Sequence, residues 1–382
     1  MSNSGSRASL AEDFERFKRE WPRDFPAYVR DAYRIDLSAR YLGEPLPHPV
    51  GKGSGQLSLN AGQLETDAEA GLAFAVLKTV IAQDAAGAQS MSAWAIHETK
   101  MKVERRGDGW TVTWKGRGWD GSFDDYLALV RTGRDLTHAG QLLTVPSVKY
   151  HLPRLDEPFR DDEYGFTTRA LADAWGDSPL LLEKDFSPTL AGDQLSGEKQ
   201  QILRWLREVP QRIRAHADVR LAMKLMNARF DDDFQIEMME AASSADGLVV
   251  FNRLFDATAG VAFGGAELSD RNLRVLDRLT PGASPGIPDL SGTGNVCSGR
   301  MIVEYALRGC SSVQLHTLFQ LPLEEYPATA GARTQRALHA LIFEPSDGLI
   351  AVMLDRESAG ALQRRGGELH FLDLLPDAYR PR

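Results

Sequence analysis

Cysteine is almost missing from this sequence: Cys297 and Cys310 are the only two among 382 residues. They form no CxxC pair or four-cysteine set, which excludes a zinc cage or an iron–sulfur cluster built by this chain and points to reduced intracellular thiols. Long apolar runs are missing too. No stretch approaches the 18 or so consecutive apolar residues of a membrane span. The opening MSNSGSRASLAEDFERF lacks the apolar core of a secretory signal, so a cytoplasmic protein without a transmembrane segment is expected. Positive charge is in deficit, with 44 Lys and Arg against 53 Asp and Glu and a net charge of -9. A surface that tracks nucleic acid needs the opposite balance. No metal site is expected: three consecutive carboxylates such as Asp231-Asp232-Asp233 do not converge on one ion and read as the solvated start of a helix.

What is present is material for a large core, 43% apolar residues with 25% charged, enough for one big domain or two ordinary ones. Residues 1–45 read as a charged N-terminal helical arm interrupted by Pro22 and Pro26. From residue 46 onward, apolar runs of strand length alternate with helix-length segments, the pattern of a parallel sheet with helical crossovers. The strand candidates are 56–61, 73–80, 142–150, 180–185, 220–225, 247–252, 287–292 and 312–315. Eight such strands make an α/β barrel, the (β/α)8 TIM fold, over residues 46–382. Residues 85–119 contain KMKVERRGDGWTVTWKGRGW, whose Gly-Asp-Gly centre and flanking alternation predict a β-hairpin insertion over the barrel mouth. Residues 320–382 are assigned to C-terminal helices and tail. Gly51–Gly55 and Thr280–Gly286 read as soft linkers, and there is no internal repeat.

Between the last two strand candidates lies Gly292-Thr-Gly-Asn-Val-Cys-Ser-Gly299, with Gln314-Leu-His-Thr317 at the end of the final strand. In a closed α/β barrel these two strand ends commonly form a phosphate site from backbone N–H groups, with glycine where the chain must approach closely. An ordinary tight strand-to-helix turn has the same form, and spacing alone divides the two evenly.

The stretch Gly292–Phe319 resembles the FMN phosphate-binding end of the dihydroorotate dehydrogenase family. Further segments agree in the family's order: SLNAGQLETD with the first strand and its turn under the flavin, FAVLKTV with the second strand and its lysine, and KGRGWDGSFDDYL with the substrate loop. LLLEKDFSPTLAG is similar to the strand and catalytic loop, VRLAMKLMNARFDDD to the strand bearing a flavin-binding lysine, GLVVFNRLF to the strand ending in asparagine, and FGGAELS to the next Gly-Gly turn. The resemblance runs from about Gln56 to Phe319. It implies bound FMN and oxidation of a CH–CH group, with hydride passing to flavin and a proton to a side chain at the position of Ser187. It implies flavin contacts from Ala61, Gly62, Lys78, Lys224 and Asn252, and phosphate contacts from Gly264, Gly265, Gly294, Asn295 and Thr317.

The residues themselves permit that chemistry. A serine hydroxyl needs a relay through water or a neighbour such as Asp185 or Thr189 to act as a base; a Ser-Pro turn is the plain alternative. Lys78 and Lys224 follow apolar runs, where a charge is costly without a partner, and a lysine beside a flavin raises its electron affinity; snorkelling at a strand end is the other reading. His151 ends the third strand candidate and is either a proton donor at the mouth or a hydrogen-bonded structural residue. The sequence departs from the family where substrate-holding asparagines are expected: Asn252 keeps one, but Lys115, Lys184 and Thr189 stand at the others. An ammonium removes acceptors that a ring N–H requires, so a changed, anionic substrate is expected, held by Lys115, Lys184, Thr189 and Asn252; the other reading of the two lysines pairs each with a protein carboxylate such as Glu183, Asp185 or Asp120. Two alternatives stay open, a genuine dihydroorotate dehydrogenase of pyrimidine biosynthesis and a flavin- or phosphate-binding barrel without turnover. Fumarate, quinone or a partner protein are all open as electron acceptor, and a homodimer is possible.

Overall fold

The structure, a computed structural model, describes residues 3–92, 102–106, 109–113, 118–186, 199–228, 231–256, 261–263, 266–279 and 288–380. Its centre is a parallel sheet of eight strand positions: β1 (Val50–Lys52), β2 (Phe74–Val76, resumed at Val80–Ile81), β3 (Leu143–Val145, resumed at Ser147–Lys149), β4 (Leu180–Asp185), β5 (Val219–Met226), β6 (Gly247–Asn252), β7 (Asp289–Thr293) and β8 (Cys310–Leu315). Each pairs in parallel with the next, and β8 pairs back onto β1, so the sheet closes. The break in β3 falls at Pro146, which has no N–H to give the ladder. Helices follow the strands in turn: α3 (Ala61–Glu69), α4 (Phe123–His138), α5 (Asp161–Trp175), α6 (Lys199–Arg214), α7 (Asp232–Ala241), α8 (Ala266–Asp277) and α9 (Gly299–Ala306), then α10 (Arg333–Phe343) and α11 (Leu349–Ser358) after β8. The fold is an α/β barrel. In α6 the buried residues Ile202, Trp205, Leu206, Val209 and Ile213 recur at helical spacing and cover the sheet. Among the described residues no helix is long and apolar enough to cross a membrane.

The first strand is not where the sequence pattern put it. Residues 56–60 are turns, and the glycine-rich run read as a linker holds β1, with Gly51 paired to Gln314 on one side and Phe74 on the other. The reason is steric: a Cβ at Gly51 would overlap the Phe74 ring, which lies across it inside the barrel. Asn60 instead caps α3, its side chain accepting from Gln63 N–H, while the Gln63 side chain accepts from Leu59 N–H. Asp231 likewise caps α7, accepting from Phe234 N–H, as the solvated helix start required.

The arm consists of two helices, α1 (Asn3–Phe17) and α2 (Phe25–Tyr33). They are tied by the Asp13 carboxylate, which accepts from Tyr28 and Tyr33 hydroxyls at 2.6 Å each. A short hairpin follows, Ala39–Tyr41 against Glu44–Leu46. Its turn residues Leu42 and Gly43 both have positive φ, 53° and 77°, the twist that two-residue hairpins favour. Leucine is a poor residue there, but its side chain reaches the spot left open by Gly247, where a Cβ would lie 3.1 Å from Leu42 Cδ2. The hairpin thus plugs the N-terminal end of the barrel, with Tyr41 stacked on Phe74 at 4.6 Å. A second hairpin, Lys102–Arg106 against Gly109–Thr113, touches the turn after β8 and the strand Val261–Phe263 that follows β6.

Gly299 opens α9 hard against α11, and a Cβ there would overlap the backbone of Gly348 and Leu349. Backbone cannot swing aside as a side chain can. Gly299→Ala is therefore expected to cost roughly 3 kcal/mol in urea unfolding. The control is Gly140→Ala, at φ 65° with open space around it, where only backbone strain of about 1–2 kcal/mol applies. Equal losses would mean that α9 and α11 are not in contact as described.

Candidate active site

Alternate residues of a strand face opposite sides, and in this barrel the inward set is charged. Glu183 and Asp185 of β4 point inward, as do Lys149 of β3, Lys224 of β5 and Gln314 of β8. Glu183 is fully buried. One of its oxygens accepts from the Gln314 amide at 2.8 Å and from the Tyr41 hydroxyl at 3.1 Å, and the other lies 3.5 Å from the Lys224 ammonium. One level nearer the C-terminal mouth, Asp185 pairs with Lys149 at 3.2 Å and accepts from the Asn252 amide at 3.4 Å. Burial alone would push the Asp185 carboxyl up, but Lys149, Lys224 and Lys184 bring it below its ordinary value. It is a carboxylate at neutral pH.

Above this layer the strand exits form the mouth. Gly53 and Gly55, past β1, present bare backbone: a Cβ at Gly53 would sit 3.4 Å from Gln314 Oε1 and 3.5 Å from Lys224 Nζ, and one at Gly55 would overlap the His316 ring. Ser54, Thr79 and Ser147 are linked hydroxyl to hydroxyl at 2.8 and 3.0 Å. His316, past β8, is held well below its ordinary value by burial and then by Arg253, Lys78, Lys224 and Lys52, so its imidazole is neutral among cations. Arg253, next to Asn252, is lowered to about 10 by burial, which Asp185 partly offsets.

Several expected site residues meet here. Lys224 donates to Gln314 Oε1 at 3.4 Å. Lys78 is buried and carries its charge toward His316. Asn252 ends β6 with its Oδ1 accepting from Arg253 N–H. At the β7 exit Gly294 has φ 107° and Asn295 φ 53°, the region asparagine tolerates best after glycine, and the Asn295 amide donates to Ser269. Thr317 begins the turn after β8. Ala61 and Gly62 form the first turn of α3 and belong to no strand, since the strand beneath them is β1. His151 is buried with Nε2 3.2 Å from Glu157 and, among the described residues, no hydrogen-bond partner on Nδ1, and burial, more than Glu157 offsets, keeps it below its ordinary value. Ser187, Thr189, Lys115, Gly264 and Gly265 lie outside the described residues.

Lys184 does not join the inward set. It occupies the opposite face of β4 from Glu183 and Asp185, is fully buried, donates to the Asp185 carbonyl at 2.9 Å and lies 4.3 Å over the Phe186 ring. Strand parity is the reason, and it removes Lys184 from the expected substrate wall. Lys149, Arg253, His316 and Gly53 were not singled out from the sequence, and Glu183 and Asp185 only as partners for others. Glu-x-Asp in a fully buried strand was the available signal, because it sets two carboxylates on one face.

No known family model matches the sequence, and no curated protein matches it. Among solved structures, the chain is similar to the DHODH of Eimeria tenella in complex with ferulenol, at 13% sequence identity and a TM-score of 0.58, over 91% of this chain and 89% of that one. The two chains share the barrel fold. Identity that low shows the fold alone.

Burial lowers Lys184 to about 7, with Asp185 opposing and Lys149 adding to the fall. A lysine lowered in the folded state binds fewer protons there than when unfolded, so the fold is penalised below about pH 7 and the penalty fades as pH rises toward about 10.4. Lys184→Met should be more stable than wild type by about 1–4 kcal/mol near pH 6, with the gain shrinking toward pH 10. Urea unfolding across that range checks it, and a variant less stable throughout would show that the ammonium is needed where it sits.

Proposed function

We propose that this chain is an FMN-dependent oxidoreductase of the dihydroorotate dehydrogenase type, exchanging a hydride between a CH–CH bond of a small anionic substrate and flavin. The observation that carries the reading is the convergence of Lys78, Lys149, Lys224 and Arg253 on one barrel mouth, around Asp185 and the neutral His316. Active sites of such barrels lie at this face, and the fold neighbour is a DHODH. The residues fit the cofactor. Gly53 leaves bare backbone beside Lys224 and Gln314, where a side chain would intrude on a ring. The left-handed pair Gly294-Asn295 turns the chain at the β7 exit, and the resemblance assigns phosphate contacts there, at Thr317 and at Gly264-Gly265. The sequence has no dinucleotide fingerprint after the first strand, which favours a mononucleotide.

FMN, when bound, supplies the hydride acceptor. Lys224 and Lys78 offset negative charge that builds up beside them. Asn252 orients substrate with an amide already anchored by Asp185 and by Arg253 N–H. Ser187 moves the proton, with Asp185 two residues earlier as the carboxylate that can relay it. His151, with one ring nitrogen open, is the reserve donor. Lys149 and Arg253 take over from Lys184 the role of favouring an anion, and Lys115 and Thr189 remain proposed substrate contacts.

The purified protein should be yellow and release FMN, not FAD, on denaturation. A colourless protein that cannot be reconstituted with FMN overturns the reading. Ser187→Ala should keep its FMN while anaerobic flavin reduction by substrate slows by a factor on the order of 10² or more; full activity would move the proton to another group, with His151→Asn as the next variant. Dihydroorotate itself should reduce the flavin poorly, and rapid reduction would instead make the chain a dihydroorotate dehydrogenase in the strict sense.

A further inference from the structure

Lys224 is reached from below as well as from the mouth. Its ammonium lies 3.5 Å from Glu183 Oε1 and donates to Gln314 Oε1 at 3.4 Å. The Gln314 amide nitrogen donates in turn to Glu183 Oε2 at 2.8 Å and to the Tyr41 hydroxyl oxygen at 3.1 Å. The Tyr41 hydroxyl donates to that same Glu183 oxygen. Among the described residues, Glu183 Oε1 has no hydrogen-bond partner of its own. A fully buried carboxylate with one oxygen twice satisfied and the other turned to an ammonium is poised to fix that ammonium, since a charge in such surroundings has no water to fall back on.

We propose that Glu183 is a positioning residue for Lys224, holding the ammonium at one height in the barrel so that its charge is aimed at the ligand beside Gly53. Gln314 braces both partners, and Tyr41, delivered by the N-terminal hairpin, fixes the carboxylate from the closed end. Among the described residues, the other charges around Lys224 are Asp185 on β4, Lys149 on β3 paired to it, and Lys78 and Arg253, which act with Lys224 on His316. With Glu183 neutralised, Lys224 is drawn toward Asp185 and loses its fixed place. The consequence for the ligand rests on the flavin reading above; the positioning itself does not.

Two measurements separate these. In the protein without added cofactor, ¹H–¹⁵N spectra selective for lysine ammonium groups, in mildly acidic solution, report ammoniums held in place; the Lys224 signal is identified by its loss in Lys224→Met. The signal should persist in wild type and in Tyr41→Phe, which keeps the carboxylate, and disappear in Glu183→Gln. An unchanged signal in Glu183→Gln overturns the proposal. If that variant does not fold, Gln314→Met decides, since it keeps both charges but removes the brace, and an unchanged signal there overturns the proposal equally. With FMN bound, the two-electron potential gives a second reading by its sign. Removing a negative charge alone would raise the potential, whereas losing an aimed ammonium lowers it. A fall in Glu183→Gln supports positioning, and a rise shows that Glu183 acts only as a charge. A protein that binds no FMN sinks the flavin reading and leaves the ammonium result to stand or fall by itself.

Discussion

The buried ion array of Glu183, Lys224, Asp185 and Lys149 is the constraint on which the rest of the barrel depends. Charges inside a barrel are tolerated only when each meets an opposite charge or a hydrogen bond. Two strands supply the anions and cations in register, since Asp185 pairs across the ladder with Lys224. β3, beside β4, completes them with Lys149, and β8 reaches them across the barrel interior with Gln314. Closure of the sheet is what brings β8 and β5, distant in sequence, to the same carboxylate. The array needs the barrel's N-terminal end sealed, because water there would compete for Glu183.

That seal explains features of the N-terminal region that its sequence does not announce. The strained φ at Leu42, the stacking of Tyr41 on Phe74, and the glycines at 51 and 247 all serve one plug. Tyr41 is kept protonated, its hydroxyl pushed well above the usual range by burial and by Glu183, so it remains a donor. The arm is therefore coupled to the barrel interior by a hydrogen bond as well as by helix packing.

Much of this was legible in the sequence, and what was not has specific causes. Seven of the eight strands announce themselves as apolar runs, because parallel strands covered by helices are buried on both faces. β1 does not, since Val50-Gly51-Lys52 is short and glycine-bearing. Gly51 is there for the Phe74 ring, and Lys52 turns outward to a buried pair with Asp67. Composition alone makes such a strand look like a linker. The Asn60-to-Gln63 spacing carried the counter-signal of a helix start. In β4, likeness to a family motif suggested Lys184 as the pocket residue, whereas two-residue periodicity puts Glu183 and Asp185 inward. Periodicity is the stronger argument in a strand, because a side chain cannot change faces without shifting the whole register.

The glycine-rich turn after β7 shows why motif and packing have to be weighed position by position. Gly292 makes room for the Tyr305 ring, and Gly299 for the backbone of α11. Both would be required in a barrel that bound nothing. Gly294 is partly explained in the same way, with Asn272 close by and the Tyr305 hydroxyl donating to its carbonyl at 2.9 Å. Asn295 is different: it takes a left-handed backbone without being glycine, and its side-chain amide donates to Ser269. What remains for a ligand at this exit is thus the direction of backbone N–H groups at one turn, a weak anion site by itself. The cations acting on the neutral His316 provide the stronger attraction, and Arg253, Lys78 and Lys224 among them come from β6, β2 and β5, away from the glycine-rich turn. An anion drawn into this mouth is held first by charge and only then placed by backbone.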